Sequence, residues 1–380
     1  MVSPNLPQAA FRPGGPGSLA RKRAWRWGGH RPQPAPVDRE ALIRWFETHR
    51  RDLPWRRTSD PYAKWVAEVM LQQTRVDTVV PYYERFLARF PTVRDLADAD
   101  PDSVRALWSG LGYYRRAQLM LAAARRIVHQ HGGRLPPDAR ALRALPGFGP
   151  YMTGAVGSMA FDLPLPAVDG NVTRVLSRLH AIEGPTDTAG HRRQVQQRAA
   201  EWAAKRPAAV NEALIELGAT VCTPRTPRCP ACPLQRACAG RDRAHELPPP
   251  KRRAAPKTWT GHGLVVQQAD GPGIWLEQRG REGLFRELWC VPLVADATPP
   301  AGSAWIETVW PGLGRAEVRG RVVHVLTHRR LELTVWFARA APDGTRPVAG
   351  RWVDPRELDR WGTPALVHKI LKVALPPLFR

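Results

Sequence analysis

Residues 145–172 read Leu-Pro-Gly-Phe-Gly-Pro-Tyr-Met-Thr-Gly-Ala-Val-Gly-Ser-Met-Ala-Phe-Asp-Leu-Pro-Leu-Pro-Ala-Val-Asp-Gly-Asn-Val. Gly147 and Gly149 lie close enough to permit a tight turn between two helical stretches. The backbone N–H groups of such a turn point outward at the start of the next helix, an anion site of the kind that holds one phosphate. Asp169-Gly170-Asn171 then precedes a helical run over Val172–Leu179. An aspartate there serves as a turn residue or N-cap. The same position also leaves a carboxylate oxygen free to face a ligand.

Working outward, the pattern from Asp38 to about Ala239 is helical. Asp60-Pro61 is a helix start, with Asp as N-cap and Pro in the first turn. The apolar spacing of Trp65, Val66, Val69 and Met70 predicts a helix from Tyr62 to Val76. Glu68 falls at the edge of that apolar stripe, where a boundary glutamate commonly makes a surface salt bridge. Further helices are expected over Pro81–Phe90 and Ala117–His129, the latter ended by Gly132-Gly133.

The chain has five cysteines, four of them at Cys222-x6-Cys229-x2-Cys232-x5-Cys238. No signal-peptide core is present at the N-terminus, so clustered cysteines argue for metal ligation in a reducing compartment. Four thiolates satisfy a zinc ion or an iron–sulfur cluster, and the spacing alone leaves both open. Arg225, Arg228, Arg236 and Arg241 flank the loop and would put positive charge beside a phosphate backbone.

The formal net charge is +23, which points to a polyanionic partner, although an Arg-rich proteome gives the same balance. No run of about 18 apolar residues exists, so no membrane partner is expected. Residues 1–36 read as a disordered basic tail rich in Pro, Gly and Arg. Residues 246–257 read as a proline-rich linker. Beyond it, short strands are predicted over Gly263–Gln267, Gly273–Gln278, Arg321–Leu326 and Leu331–Ala338. An all-α domain over 37–245 is thus followed by an α+β domain over 258–380.

The hairpin followed by Asp169 resembles the helix-hairpin-helix glycosylase superfamily, and the cysteine spacing resembles the iron–sulfur loop of endonuclease III and MutY-type enzymes. That resemblance implies one [4Fe–4S] cluster on Cys222, Cys229, Cys232 and Cys238. It implies a DNA phosphate on the turn at Gly147 and Gly149. It also implies a catalytic Asp169 that stabilises positive charge developing at C1′ of the sugar. In the bifunctional endonuclease III type, the residue two after the second hairpin glycine is a lysine. Here it is Tyr151, which implies a monofunctional enzyme. In MutY-like members a tyrosine at this place can contact the catalytic aspartate.

Glu68-Val69-Met70-Leu71-Gln72-Gln73-Thr74 is similar to a signature of the MutY-type adenine DNA glycosylases. In that family the glutamate protonates adenine N7. A glutamate at a desolvated stripe edge would hold its proton near neutral pH. The resemblance also implies an extruded adenine received by Arg51, Leu53, Trp55 and Arg56. Asn171 stands beside the aspartate, and Glu212 reaches the exocyclic amine. Gln73 and Tyr113 would wedge into the base stack.

Gly283-Leu284-Phe285-Arg286-Glu287-Leu288-Trp289 resembles a stretch of the Nudix-like C-terminal domain of that family. The glutamate-rich metal-binding helix of an active Nudix enzyme is not visible. The domain therefore reads as a recognition module, not a second active site. Its family loop reads 8-oxoguanine with Phe-Ser-His. This chain has Leu326-Thr327-His328, which keeps a hydroxyl at Thr327 and the imidazole of His328 but loses the ring. The expected partner is double-stranded DNA with 8-oxoguanine·A or G·A mispairs. The expected enzyme is a cytoplasmic monomer, nucleoid-associated if bacterial, working in base excision repair.

Overall fold

The computed structural model describes residues 37–249, 255–295, 304–341 and 350–375. The tail expected over residues 1–36 and the centre of the expected linker lie outside the described residues. The helical part runs through α1 (Arg39–His49), α2 (Pro61–Leu71), α3 (Val76–Arg89), α4 (Val93–Ala97), α5 (Pro101–Leu107) and α6 (Arg115–His131). It continues through α7 (Ala139–Ala144), α8 (Pro150–Phe161), α9 (Gly170–Leu179), α10 (Ala189–Ala203) and α11 (Pro207–Thr220). The sheet part holds β1 (Lys257–Gln268), β2 (Ile274–Gln278), β3 (Trp289–Cys290), β4 (Leu293–Ala295), α12 (Ala304–Val309), β5 (Glu317–Val325), β6 (Arg329–Ala340), β7 (Gly350–Val353) and α13 (Ala365–Ala374).

Two strands start earlier than expected, β1 at Lys257, the last residue of the expected linker, and β5 at Glu317, and two helix boundaries also differ. The helix starting at Asp60-Pro61 ends at Leu71, not Val76, because Gln73 takes a left-handed backbone with φ 59°. The next helix begins at Val76 instead of starting at Pro81, which lies inside it and gives no N–H to the carbonyl of Asp77. The end of α6 is as expected, with Gly132 as a left-handed C-cap at φ 60°.

Two large hydrophobic clusters and a small one at Ala155, Met159 and Ala167 build the helical part. One large cluster gathers α2 to α8 around Trp65, Phe86 and Trp108. The other large one gathers α1, α9, α10 and α11 around Leu42, Leu176 and Leu214, with the cysteine loop packed against it. The hairpin Leu145–Gly149 joins α7 to α8. Gly147 has φ 80°, a conformation that side chains disfavour, and α8 starts with Pro150 at its first position. Within α8, a Cβ on Gly154 would stand 2.0 Å from the Pro166 carbonyl oxygen. That close approach lays the segment leading to Asp169 directly against α8.

The sheet has the order β3-β2-β1-β6-β5, with β4 also on β1 and β7 also on β2. β1 and β6 run parallel in a long register from Lys257↔Arg329 to Gln268↔Ala340, and the other pairs are antiparallel. α13 covers one face through Leu366, Val367 and Ile370. α12 covers the other through Trp305 and Ile306. Among the described residues α12 carries one carboxylate, Glu307, and its Oε1 accepts from the Gly312 N–H at 2.9 Å. No described helix is long and apolar enough to cross a membrane.

Candidate active site

A cavity of about 160 Å3 lies where the two large helical clusters meet. Arg51, Leu53, Trp55, Arg56, Glu68, Tyr151, Asp169, Asn171 and Glu212 all line it. The sequence reading placed each of these at the reacting base. Lys64, Met159, Ile215 and Glu216 line it as well and were not anticipated. Helical spacing held the signal for two of them, since Lys64 lies one turn before Glu68 and Glu216 one turn after Glu212.

Glu68 is not a surface glutamate. It is 8% exposed on a helix buried on nearly all sides. Burial pushes its carboxyl up to about 7, and the charges of Asp169 and Glu212 raise it further against the Tyr151 hydroxyl and Arg56. The Tyr151 hydroxyl donates to Glu68 Oε2 at 2.6 Å. The hydrogen bond goes to Glu68, while Asp169, which the resemblance implies as a contact of this tyrosine, acts on it through its charge. α8 presents its first turn to α2, so the phenol meets Glu68, and burial holds that phenol protonated.

Asp169 is the N-cap of α9. Its Oδ1 accepts from the Val172 N–H at 2.7 Å and its Oδ2 from Asn171 Nδ2 at 2.8 Å. Burial raises its carboxyl while these donors and Arg174 pull it back. The cap therefore fixes the carboxylate without taking it out of the cavity. Arg174 bonds the Asn171 side-chain oxygen at 2.9 Å and the Cys222 carbonyl at 2.7 Å. A continuous chain of polar contacts thus runs from Asp169 to the cysteine loop.

Glu216 is fully buried. Arg51 grips it through Nε and Nη2 at 2.8 Å each, and Arg56 Nη2 adds a bond at 2.9 Å. Against the cost of burial, these donors hold its carboxyl down to about 2.

Gln73, Tyr113, Gly147, Gly149, Thr327 and His328 lie outside the cavity. Gln73 and Tyr113 are both exposed and both left-handed, at φ 59° and 50°. One buried side chain holds the loops that carry them. Arg116 Nη1 donates to the carbonyls of Val69, Met70 and Gln72, and its Nη2 donates to those of Leu111 and Gly112. Nothing in the local sequence around Arg116 signals this role. The Tyr113 hydroxyl and Thr327 Oγ1, 214 positions apart, are 2.7 Å from each other. Thr327 and the exposed His328 sit in the turn between β5 and β6.

Cys222, Cys229, Cys232 and Cys238 line one cavity with Val221, Pro227 and Arg178. Burial pushes the Cys232 thiol up to about 12 and the Cys238 thiol up to about 11, and the neighbouring cysteines add to the rise. Thiols in that setting give up their protons to a compensating cationic centre, so the donor set fits a metal-containing group. Arg178 Nη1 lies 3.3 Å from Cys222 Sγ and 2.7 Å from the Thr223 carbonyl, tying the loop to α9. Arg225, Arg228, Arg236 and Arg241 are exposed around it.

Residues 66–204 match the model of the HhH-GPD superfamily of base excision DNA repair proteins, and residues 262–373 match the NUDIX domain. The adenine DNA glycosylase of Mus musculus is 33% identical over 399 residues, covering 88% of this chain and 77% of its own. That of Schizosaccharomyces pombe is 29% identical over 410 residues, covering 89% of each chain. Among solved structures, a thermostable thymine-DNA glycosylase aligns with a TM-score of 0.49 at 26% identity, over 54% of this chain and 95% of that one. The chain belongs to the adenine DNA glycosylase family.

Proposed function

We propose that this chain excises adenine paired with 8-oxoguanine, and with guanine, from duplex DNA by acid-assisted hydrolysis without a lyase step. The observation that carries the reading is that Glu68 and Asp169 share one cavity, with Glu68 pushed up to about 7. A carboxyl near neutrality is present in part as the acid and in part as the base, which suits a group that must do both.

An adenine flipped from the stack enters between Leu53, Trp55 and Ile215. Glu68 gives its proton to N7, and Tyr151 holds the carboxyl in place from the other oxygen. As the C1′–N9 bond breaks, its electron pair leaves with the base. The Asp169 carboxylate stabilises the oxocarbenium charge on the sugar. Glu68, now a carboxylate, takes a proton from the water that adds to C1′. Tyr151, where the bifunctional type carries its lysine, offers no amine for a Schiff base, and the Lys64 amine on the cavity wall is turned to the Met159 carbonyl.

Cys222, Cys229, Cys232 and Cys238 would hold a [4Fe–4S] cluster that braces the loop against α9 and sets its arginines toward the DNA backbone. The four cysteines line one cavity, a setting that four thiolates can close around either zinc or an iron–sulfur cluster, and the family resemblance of their spacing supports the cluster. Thr327 and His328 offer polar groups to the base opposite the adenine. The hairpin at Gly147 and Gly149, which leads into a helix no side chain caps, offers an anion site to a phosphate.

The test is incubation with an 8-oxoguanine·A duplex followed by hot alkali. Cleavage confined to the adenine strand is expected, and an intact strand overturns the reading. Iron and acid-labile sulfide in equal amounts support the cluster, and zinc in their place refutes it.

A further inference from the structure

Lys64 has no part in the reaction as drawn, yet it lines the reacting cavity. It stands one helical turn before Glu68 on α2, on the cavity wall beside α8. Its Nζ donates to the Met159 carbonyl at 2.6 Å, which leaves two of its three protons for the cavity. Of the three cations on the cavity wall, Arg51 and Arg56 are both committed to Glu216. Lys64 has no carboxylate within ion-pair distance among the described residues.

Across the cavity, on α11, Glu212 is in the complementary condition. It is partly buried, and no described group makes a hydrogen bond or an ion pair with it. Burial, the largest influence, keeps its proton affinity above the ordinary carboxylate value against the pull of Arg56, Lys64 and Arg50, and Glu216 raises it further. Glu68, on the other helix, faces it as well. Arg56 already serves Glu216, and the exposed Arg50 lies over the Phe46 ring. That leaves Lys64 as the uncommitted cation within the cavity itself.

We propose that Lys64 is a specificity-determining positioning residue, which holds Glu212 as an acceptor-only carboxylate. The pocket then takes a purine presenting an exocyclic amine and rejects one presenting a carbonyl at the same place. This rests on the reading of the cavity as an adenine site. An ionised carboxylate accepts from an N–H and repels a carbonyl oxygen. A protonated one has an O–H that donates to that oxygen. Adenine and hypoxanthine differ in this group, so the charge state of Glu212 decides between them. A site built to bond one polar group rejects its mismatch strongly, because the buried partner is left unpaired.

The experiment is single-turnover excision of adenine and of hypoxanthine, each opposite 8-oxoguanine, from pH 5.5 to 8.5. It compares the full-length wild type with Lys64→Met and Lys64→Arg. In Lys64→Met the adenine-over-hypoxanthine ratio is expected to fall about tenfold at the acid end, the scale of one charged hydrogen bond, and to recover toward the alkaline end. Lys64→Arg is expected to keep the wild-type ratio across the range. Equal losses on both bases at every pH would mean that Lys64 only packs against Met159, and would overturn the proposal. So would an unchanged ratio. A wild type that excises neither base refutes the adenine reading itself, a result distinct from either.

Discussion

Glu68 and Glu216 face the same cavity from two helices, and both are buried, yet their carboxyls come to rest at about 7 and about 2. Burial is the first cause acting on each, and it raises both. The difference lies in what stands opposite. Glu216 accepts charged bonds from Arg51 and Arg56. Glu68 accepts one neutral bond from Tyr151 and faces two further carboxyls. One wall of the cavity is therefore a finished ion pair that holds structure, and the other is an unfinished acid that can move a proton. A buried glutamate becomes structural or chemical according to its partner.

The largest break in this comparison is Glu68→Gln. Removing the acid is expected to slow adenine excision by about 10^2–10^4-fold, the usual worth of general acid catalysis, while duplex binding persists. Stability should move the other way. The folded-state value of Glu68 lies above its unfolded one, so its favourable protonated form is present below about 4.5 and lost as pH rises through about 7. Above that, the wild type carries an uncompensated buried charge. Glu68→Gln should then raise the unfolding free energy at pH 8 by about 1–2 kcal/mol, the direction that proton linkage requires. Chemical denaturation at pH 8 measures it, and a variant that stays active would remove Glu68 from the role of acid.

Glu216→Gln should do the reverse. It strands Arg51 and Arg56 beside a neutral amide and costs about 3 kcal/mol, as broken buried pairs do. The folded-state value of Glu216 lies below its unfolded one. Its contribution is therefore fully present above about 4.5 and lost as pH falls through about 2. Urea unfolding at pH 7 and again near pH 3 measures the gap between variant and wild type. A gap that fails to narrow at the lower pH would show that the arginines do not act through this charge.

What the sequence made legible is mostly local. Gly147 and Pro150 announce the hairpin, Asp60 and Asp169 announce their helices by capping, and Gly132 ends α6, because each effect spans only a few residues. The four cysteines and Glu68 were found by pattern. The particular bonds that tune the site were not. The bonds from Arg51 to Glu216 and from Tyr151 to Glu68 join positions 165 and 83 apart. No helical period reports such a meeting. Arg116 makes the same point, since its guanidinium binds six backbone carbonyls, at the end of α2 and in the loops on either side, and leaves no trace in the residues around it.

A milder change sharpens the comparison at the Glu68 wall. Tyr151→Phe removes the one donor that favours the ionised form, so the Glu68 carboxyl should rise further above about 7. The rate depends on the protonated acid and falls as pH rises past that value. The alkaline limb of the pH–rate profile should therefore move upward, by about 0.7 pH unit if the lost bond is worth about 1 kcal/mol. Single-turnover rates between pH 6 and 9 measure the limb. A limb that stays put, or moves down, would mean that the phenol does not set the proton affinity of the acid.

The smallest effect is expected where both partners stand in water. Tyr113 is 45% exposed, and its hydroxyl meets the exposed Thr327 across the gap between the helical part and the sheet. Solvent competes for both groups, so this pair cannot resemble Glu216 and its arginines. Thr327→Ala should reduce the preference for 8-oxoguanine·A over G·A by about fivefold, the equivalent of roughly 1 kcal/mol for one net hydrogen bond. Tyr113→Phe supplies the control, because it breaks the same bond from the other side and leaves the Thr327 hydroxyl free for a base. If the threonine acts by reading the partner base, Thr327→Ala should lose preference and Tyr113→Phe should keep it. Equal losses in the two variants, not additive when combined, would place the effect in their mutual bond instead. The turn would then serve to lock the two halves of the protein together, not to read the partner base.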